Sequence, residues 1–202
     1  MRFSRIIFPV LAVAVLSSLV LVGTVRAQEG EASMPAGVKG DMMIWFGDAE
    51  EKLLDLADAM PQDKYAWRPG EGVRSQGEVF LHVAAANYGL PSFWGVNPPE
   101  GFEFVGFEQS ATKKDEIKQI LKDSFDHMTK GFMSQTEENM NKEVTLFGGN
   151  TMTIRAAYML ILSHDHEHLG QSIAYARTNG IVPPWTARQQ EQFKEGEEGE
   201  GQ

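Results

Sequence analysis

Ser163-His164-Asp165-His166-Glu167-His168-Leu169-Gly170-Gln171 gathers three of the chain's five histidines into five residues. His164 and His168 stand four positions apart. On an α-helix this places both imidazoles on one face, about 40° apart around the axis, with Cβ atoms roughly 6 Å apart. Such a pair forms two teeth of a metal clamp, because imidazole nitrogen is a preferred ligand of Zn²⁺ and related ions. His166 lies two residues from each, roughly opposite the stripe, and is expected to point to solvent. Ile154, Ala157, Ile161, His164, His168, Ser172 and Tyr175 share one stripe, so the pair falls on a core face. The helix is expected to start with Thr151 or Thr153 as its cap and to end near Thr178–Asn179. Gly180 supplies the position after the last turn, and Pro183-Pro184 follow.

Three further helices precede it. Ser75-Gln76-Gly77-Glu78 fits a capping box and opens a helix from Gln76 to about Leu90, stopped by Pro91. His82 lies in its middle, with apolar Val79, Ala85 and Ala86 at helical spacing, so it is directed inward. An earlier helix is expected to begin with Asp41 as its N-cap and run to Met60, striped by Met43, Phe46, Leu53, Leu54 and Ala57 and ended by Pro61. Another starts with Thr112 as its N-cap, carries Ile117, Ile120, Leu121, Met128 and Phe132, and fades near Glu137-Glu138-Asn139. His127, at its flank, has no partner at ligand spacing and reads as an ordinary, partly exposed histidine. The expected fold is all-α: an up-down four-helix bundle with a long aromatic-rich loop, 91–111, between helices two and three. That loop holds Phe93, Trp94, Phe102, Phe104 and Phe107 and is expected to pack over one end of the bundle. Tyr65 and Trp67 should likewise fold their loop onto the bundle. Residues 144–153 read as a small hairpin around Gly148-Gly149 or an extended lead-in to the last helix.

The first 27 residues read as a secretory signal peptide: Arg2 and Arg5, an apolar run from Ile6 to Val22, then Val25-Arg26-Ala27 as a cleavage site. The run is 17 residues, short of the roughly 20 that span a bilayer. Residues 28–37 read as a flexible leader, 38–188 as the bundle, and 189–202 as a disordered acidic tail. Export to the periplasm or the medium is the expected localisation, with no stable membrane insertion after cleavage. Removing residues 1–27 takes away three Arg and no acid, which leaves 15 basic and 28 acidic residues and a net charge of −13. That balance, with no Lys/Arg cluster, excludes nucleic acid as an expected partner. A small-molecule substrate and a homodimer remain compatible with it. The chain has no Cys, so a thiolate nucleophile, a disulfide framework and a Cys-rich zinc site are all excluded.

In a four-helix bundle, inward side chains from facing helices build sites, and His82 can meet His164 and His168 there. Three imidazoles suit Zn²⁺, and also Ni²⁺, Cu²⁺ and Fe²⁺. Three protein ligands with an open position is the pattern of a catalytic zinc site. Glu78, one turn before His82, reads equally as a cap and as a base or outer partner. Asp165 and Glu167 diverge from the ligand face and are expected to be solvated.

Met60-Pro61-Gln62-Asp63-Lys64-Tyr65-Ala66-Trp67-Arg68-Pro69, Gly72-Val73-Arg74-Ser75 and Gly77-Glu78-Val79-Phe80-Leu81-His82-Val83-Ala84 resemble the DinB-like family, as does the late His164, His168, Gln171 pattern. The resemblance covers about residues 38–180. It implies a four-helix bundle with a divalent metal, zinc or nickel, on His82, His164 and His168. Where the family often has a basic residue after the second helix-four histidine, this chain has Leu169, which removes an anion contact. Gln171 matches a frequent family glutamine and is placed either to orient a ligand or to pack the helix. The implied function is a metal-dependent enzyme, a hydrolase or a thiol-transferase of unknown substrate. A non-catalytic metal-binding or stress-response bundle is the alternative, since no general base stands out.

Overall fold

A computed structural model describes residues 35–200, with side chains for 35–195. The segment read as a signal peptide, and the leader up to residue 34, lie outside the described residues. The elements are α1 (Val38–Ala59), α2 (Gln76–Gly89), α3 (Lys114–Ser134), α4 (Glu137–Met140), β1 (Glu143–Thr145), β2 (Thr151–Thr153), α5 (Ile154–Thr178) and α6 (Pro184–Glu200). The protein is therefore mostly helical. Among the described residues, no helix is long and apolar enough to cross a membrane.

The start of α2 follows from local chemistry. Ser75 accepts from the backbone N–H of Glu78, and the Glu78 carboxylate accepts from the N–H of Ser75 at 2.6 Å, which closes the capping box. Two more N–H groups of the first turn have no partner within the helix. The preceding loop supplies them: Gln76 N donates to Trp67 O at 3.0 Å and Gly77 N to Tyr65 O at 2.9 Å. Gly77 is needed for this approach, because a Cβ there would lie 3.1 Å from Ile117 and 3.2 Å from the Tyr65 carbonyl oxygen. Tyr65 is buried, and its hydroxyl donates to Ala57 O at 2.6 Å. The loop between α1 and α2 is thus pinned at both ends.

Two helix starts differ from expectation. α1 begins at Val38, with Asp41 inside the first turn, where its carboxylate favours the helix dipole without capping. α3 begins after Lys113, and Thr112 makes no cap. Gln62 takes that role across fifty residues of sequence, its Oε1 accepting from Lys114 N at 2.7 Å. α5 is capped by Thr153, which accepts from Ala156 N at 3.2 Å. β1 and β2 pair antiparallel, Val144 opposite Met152, as a hairpin that leads into α5.

α1 packs on α3 and α5, and α2 packs on the same two helices. Val79, Phe80, Leu81, Val83 and Ala84 are all fully buried. Successive helical residues point in different directions, so α2 is enclosed on nearly every side. An edge-to-face aromatic chain then ties the elements together. Phe46 on α1 meets Phe132 on α3 at 5.5 Å, Phe132 meets Tyr158 on α5 at 4.8 Å, and Tyr158 meets Trp94 at 4.9 Å. Trp94 also donates its Nε1–H to the Tyr158 hydroxyl at 3.0 Å.

In the 91–111 segment, Phe102 and Phe107 pack on Tyr88 at the end of α2, while Phe93, Phe104 and Val105 stay exposed. Its 3₁₀ turn, Phe107–Gln109, lies against α2. The stretch read as an unstructured tail is helical as far as Glu200. Its first turns are docked: Trp185 packs against the core, Lys52 sits over its ring at 5.8 Å, and Arg188 reaches Asp55 at 3.0 Å. Extending a helix from a docked turn avoids the cost of nucleation, so the Gln/Glu-rich sequence beyond continues it.

Ser75→Ala removes the acceptor that closes the capping box. Urea unfolding is expected to show a loss of about 1 kcal/mol. An unchanged midpoint would mean that the loop bonds to Trp67 O and Tyr65 O hold the helix start without the cap.

Candidate metal centre

His82 comes from the enclosed helix α2, and His164 and His168 come from successive turns of α5. The three rings meet edge to face or tilted, with centroids 4.9, 4.7 and 4.5 Å apart. One ligand nitrogen from each lies within 4.8 Å of the other two. His82 Nε2 and His164 Nε2 face each other at 3.1 Å. Two nitrogens on one tetrahedral ion at zinc–imidazole distance stand about 3.3 Å apart, so this pair is already near ligating separation.

The opposite ring edges explain the orientation. The Nδ1–H of His82 donates to Glu108 Oε1 at 2.7 Å. Arg74 clasps the same carboxylate with two parallel bonds, Nε to Oε2 at 2.8 Å and Nη2 to Oε1 at 2.9 Å. The Nδ1–H of His168 donates to Gln171 Oε1 at 2.8 Å. The Gln171 amide in turn donates to the Tyr175 hydroxyl at 2.9 Å, and that hydroxyl donates to Arg74 O at 3.3 Å. Trp67 packs edge-on against Tyr175 at 5.2 Å and shields this relay. An Nδ1–H held by an outer acceptor leaves Nε2 as a bare lone pair aimed inward.

The electrostatics favour the same state. Burial pushes the His168 pKa down to about 4; the Gln171 bond opposes this, and the neighbouring imidazoles of His164 and His82 add to it. His82 is also lowered, by burial first and by Arg74 and His164 next, against the pull of Glu108. Burial pushes Glu108 up, but the hydrogen bonds from Arg74 and His82 outweigh it and keep the carboxylate ionised well below neutral pH. Neutral imidazoles are the ligating form, so the donor set fits a divalent cation.

The three expected ligand positions are therefore brought together. Other residues behave differently from expectation. Asp165 is completely buried rather than solvated, because Ile161, Asp165, Leu169 and Ser172 define the middle of α5's buried face, and the histidine pair lies at its edge. His166 is half-buried: it packs against Trp45 at 6.0 Å and donates from Nδ1 to Leu162 O at 3.0 Å. Glu167 is exposed. Glu78 is engaged by its cap and by Arg68 at 3.2 Å, and so serves the helix start. Gln171 bonds to His168 and to Tyr175, and so fixes the ring of a candidate ligand. Glu108 has no signal in the sequence, since it reaches His82 from a loop 26 residues away with no periodicity to place it.

A helical domain with two histidines on one helix and a third on its neighbour, their ligating edges turned inward, defines the class: a candidate three-histidine metal protein. The chain belongs to the DinB superfamily, whose family model matches residues 46–172 and takes in all three histidines. It is 25% identical over 129 residues to the Bacillus subtilis (strain 168) protein YjoA, an alignment covering 62% of this chain and 80% of that one. In fold it is similar to a DinB-like protein from Bacillus cereus ATCC 10987, with a TM-score of 0.64 and 16% identity over 73% of this chain and 95% of that one. The crystal structure of YjoA gives a TM-score of 0.57 and 20% identity over 70% and 93% of the two chains.

These pKa values set a pH dependence for the metal-free protein. With His168 near 4 folded and 6.5 unfolded, the unfolded chain binds more protons between those values. The contribution is fully present above pH 6.5 and lost as the pH falls toward 4. Asp165, raised by burial from 3.8 to about 6, acts with the opposite sign and loses its contribution as the pH rises through that range. Because Asp165 is common to both proteins, the stability of wild type minus that of His168→Gln isolates the histidine. Measured in chelator, the difference is expected to be flat above neutrality and to fall with acidification; a difference independent of pH would refute the lowered histidine.

Proposed function

We propose that this chain is an exported metal-dependent enzyme of the DinB superfamily that holds one divalent ion, zinc or nickel, on His82, His164 and His168. The observation that carries the reading is the convergence of three ring edges while Glu108 and Gln171 hold the outer nitrogens of two of them. An ion held by three imidazoles supplies Lewis acidity toward a water, a thiol or a carbonyl group. Three protein ligands, rather than four, favour catalysis over a structural role. His82 and His164 keep about a fifth of their side-chain surface exposed, at 21% and 20%, so a small molecule can reach the rings. Hydrolysis is preferred to thiol transfer, because an oxidising compartment consumes thiolates. The basic start, apolar run and Val25-Arg26-Ala27 support export. An up-down course of α1, α2, α3 and α5 is part of the same reading.

The protein's own groups have separable tasks. Arg74 fixes Glu108, Glu108 turns His82, and the Tyr175–Gln171 relay turns His168. Purified mature protein is expected to hold about one zinc or nickel ion per chain by elemental analysis. His82→Ala and His164→Ala should each abolish that content, and unchanged stoichiometry in both would end the assignment. Glu108→Gln should keep the fold and weaken metal binding about 10- to 100-fold by competition with a chelating dye. Ester and amide hydrolysis that is lost in chelator and in His168→Ala would support the enzyme; metal binding without turnover across such a panel would favour a binding protein.

A further inference from the structure

His164 stands apart from the other two imidazoles. His82 and His168 each have an outer acceptor on Nδ1, whereas His164 Nδ1 is buried with no hydrogen-bond partner among the described residues. Both oxygens of Asp165, the next residue, are in the same condition. The two unpaired groups are neighbours, His164 Nδ1 lying 3.8 Å from Asp165 Oδ1. That is about 1 Å beyond a charge-assisted hydrogen bond. The Asp165 side chain is fully buried. A buried, unpaired carboxylate is costly in any protein, and replacing one with an apolar residue is ordinarily stabilising.

The proton inventory accounts for the gap. His82 donates its Nδ1–H in a hydrogen bond to Glu108, so its Nε2 is a bare acceptor. A neutral His164 facing that acceptor at 3.1 Å bonds to it only by carrying its own proton on Nε2. Its Nδ1 is then a lone pair turned toward a carboxylate, and two acceptors stay apart. A cation between the Nε2 atoms reverses this: His164 must present a lone pair on Nε2 and carry its proton on Nδ1. Nδ1 then becomes a donor beside an acceptor that already awaits it.

Resting on the metal-binding reading above, we infer that Asp165 is a positioning residue for the metal centre: it accepts a hydrogen bond from the Nδ1–H of His164 when the ion binds, and so selects the ligating tautomer. Each of the three imidazoles then has its own outer acceptor, Glu108 for His82, Asp165 for His164 and Gln171 for His168. No proton enters or leaves His164 in net terms; it moves from Nε2 to Nδ1. The metal-free protein bears the unpaired carboxylate, and the loaded protein uses it.

The inference separates from a packing role because the two predict opposite correlations. Asp165→Asn keeps an acceptor without charge, and Asp165→Leu keeps neither. Zn²⁺ affinity, measured by competition with a chelating dye, should fall in the order wild type, Asn, Leu, by about 10-fold and then up to about 100-fold. Urea stability in chelator should stay level or rise in the same order. A residue that merely packs α5 would lose stability and leave affinity intact, and affinity equal to wild type in both variants overturns the inference. Nitrogen-15 NMR of the wild-type imidazoles supplies a readout independent of variant folding. His164 should be protonated at Nε2 without metal and at Nδ1 with Zn²⁺, and an unchanged tautomer also overturns it. Absence of Zn²⁺ binding by the wild type itself would overturn the metal-site reading and this inference together.

Discussion

An imidazole buried among others has two nitrogens to satisfy, and at the junction of α2 and α5 only one edge can face its neighbours. A buried polar group left without a partner costs about 1–3 kcal/mol. The surrounding structure largely follows from that constraint. Glu108 and Gln171 take the outer edges of His82 and His168, and Arg74 and Tyr175 hold those two acceptors in place. What remains is the Nε2 lone pairs of His82 and His168, turned toward His164, an arrangement that a cation shared by all three rings favours.

The packed helices supply the rigidity that this arrangement needs. α2 is enclosed by α3, α5 and the loops at both of its ends, so His82 cannot withdraw without disturbing a close-packed core. The same loop that closes the capping box region also carries Arg74 and Trp67 to α5. The 91–111 segment packs Phe102 and Phe107 on Tyr88, and the turn that follows delivers Glu108. These loops therefore have two roles. Their aromatic residues bury apolar surface, and their charged residues complete the site.

Much of this was legible in residue order. The Ser75–Glu78 box is a local device, encoded within four residues and read from them directly, whereas the Gly-Gly hairpin and the Thr153 cap were each one of two local readings, between which the structure chose. His82, His164 and His168 were legible because helical periodicity says which side chains share a face, and the resemblance to the DinB-like family points to the same three. Asp165 was misread for a related reason: the stripe was centred on the histidines, and a one-residue rotation of that stripe moves a carboxylate from solvent to the core. The extent of α6 was hidden because a Gln/Glu-rich segment has no core-facing pattern, while the docking of Trp185 and Arg188 that nucleates it is a long-range event.

The sequence by itself determined the course of α1, α2, α3 and α5, the capping box of α2 and the three imidazoles, because those depend on interactions between residues a few positions apart. Only the tertiary structure decided the state of each imidazole. Which nitrogen points inward is set by Glu108 from a distant loop, by Gln171 through a relay ending at Arg74, and at His164 by a carboxylate whose burial depends on how α5 is rotated against its neighbours. Hydrogen bonds between groups far apart in the chain have no period and no local signature, so the three candidate ligands could be named from sequence while the groups that orient them could not.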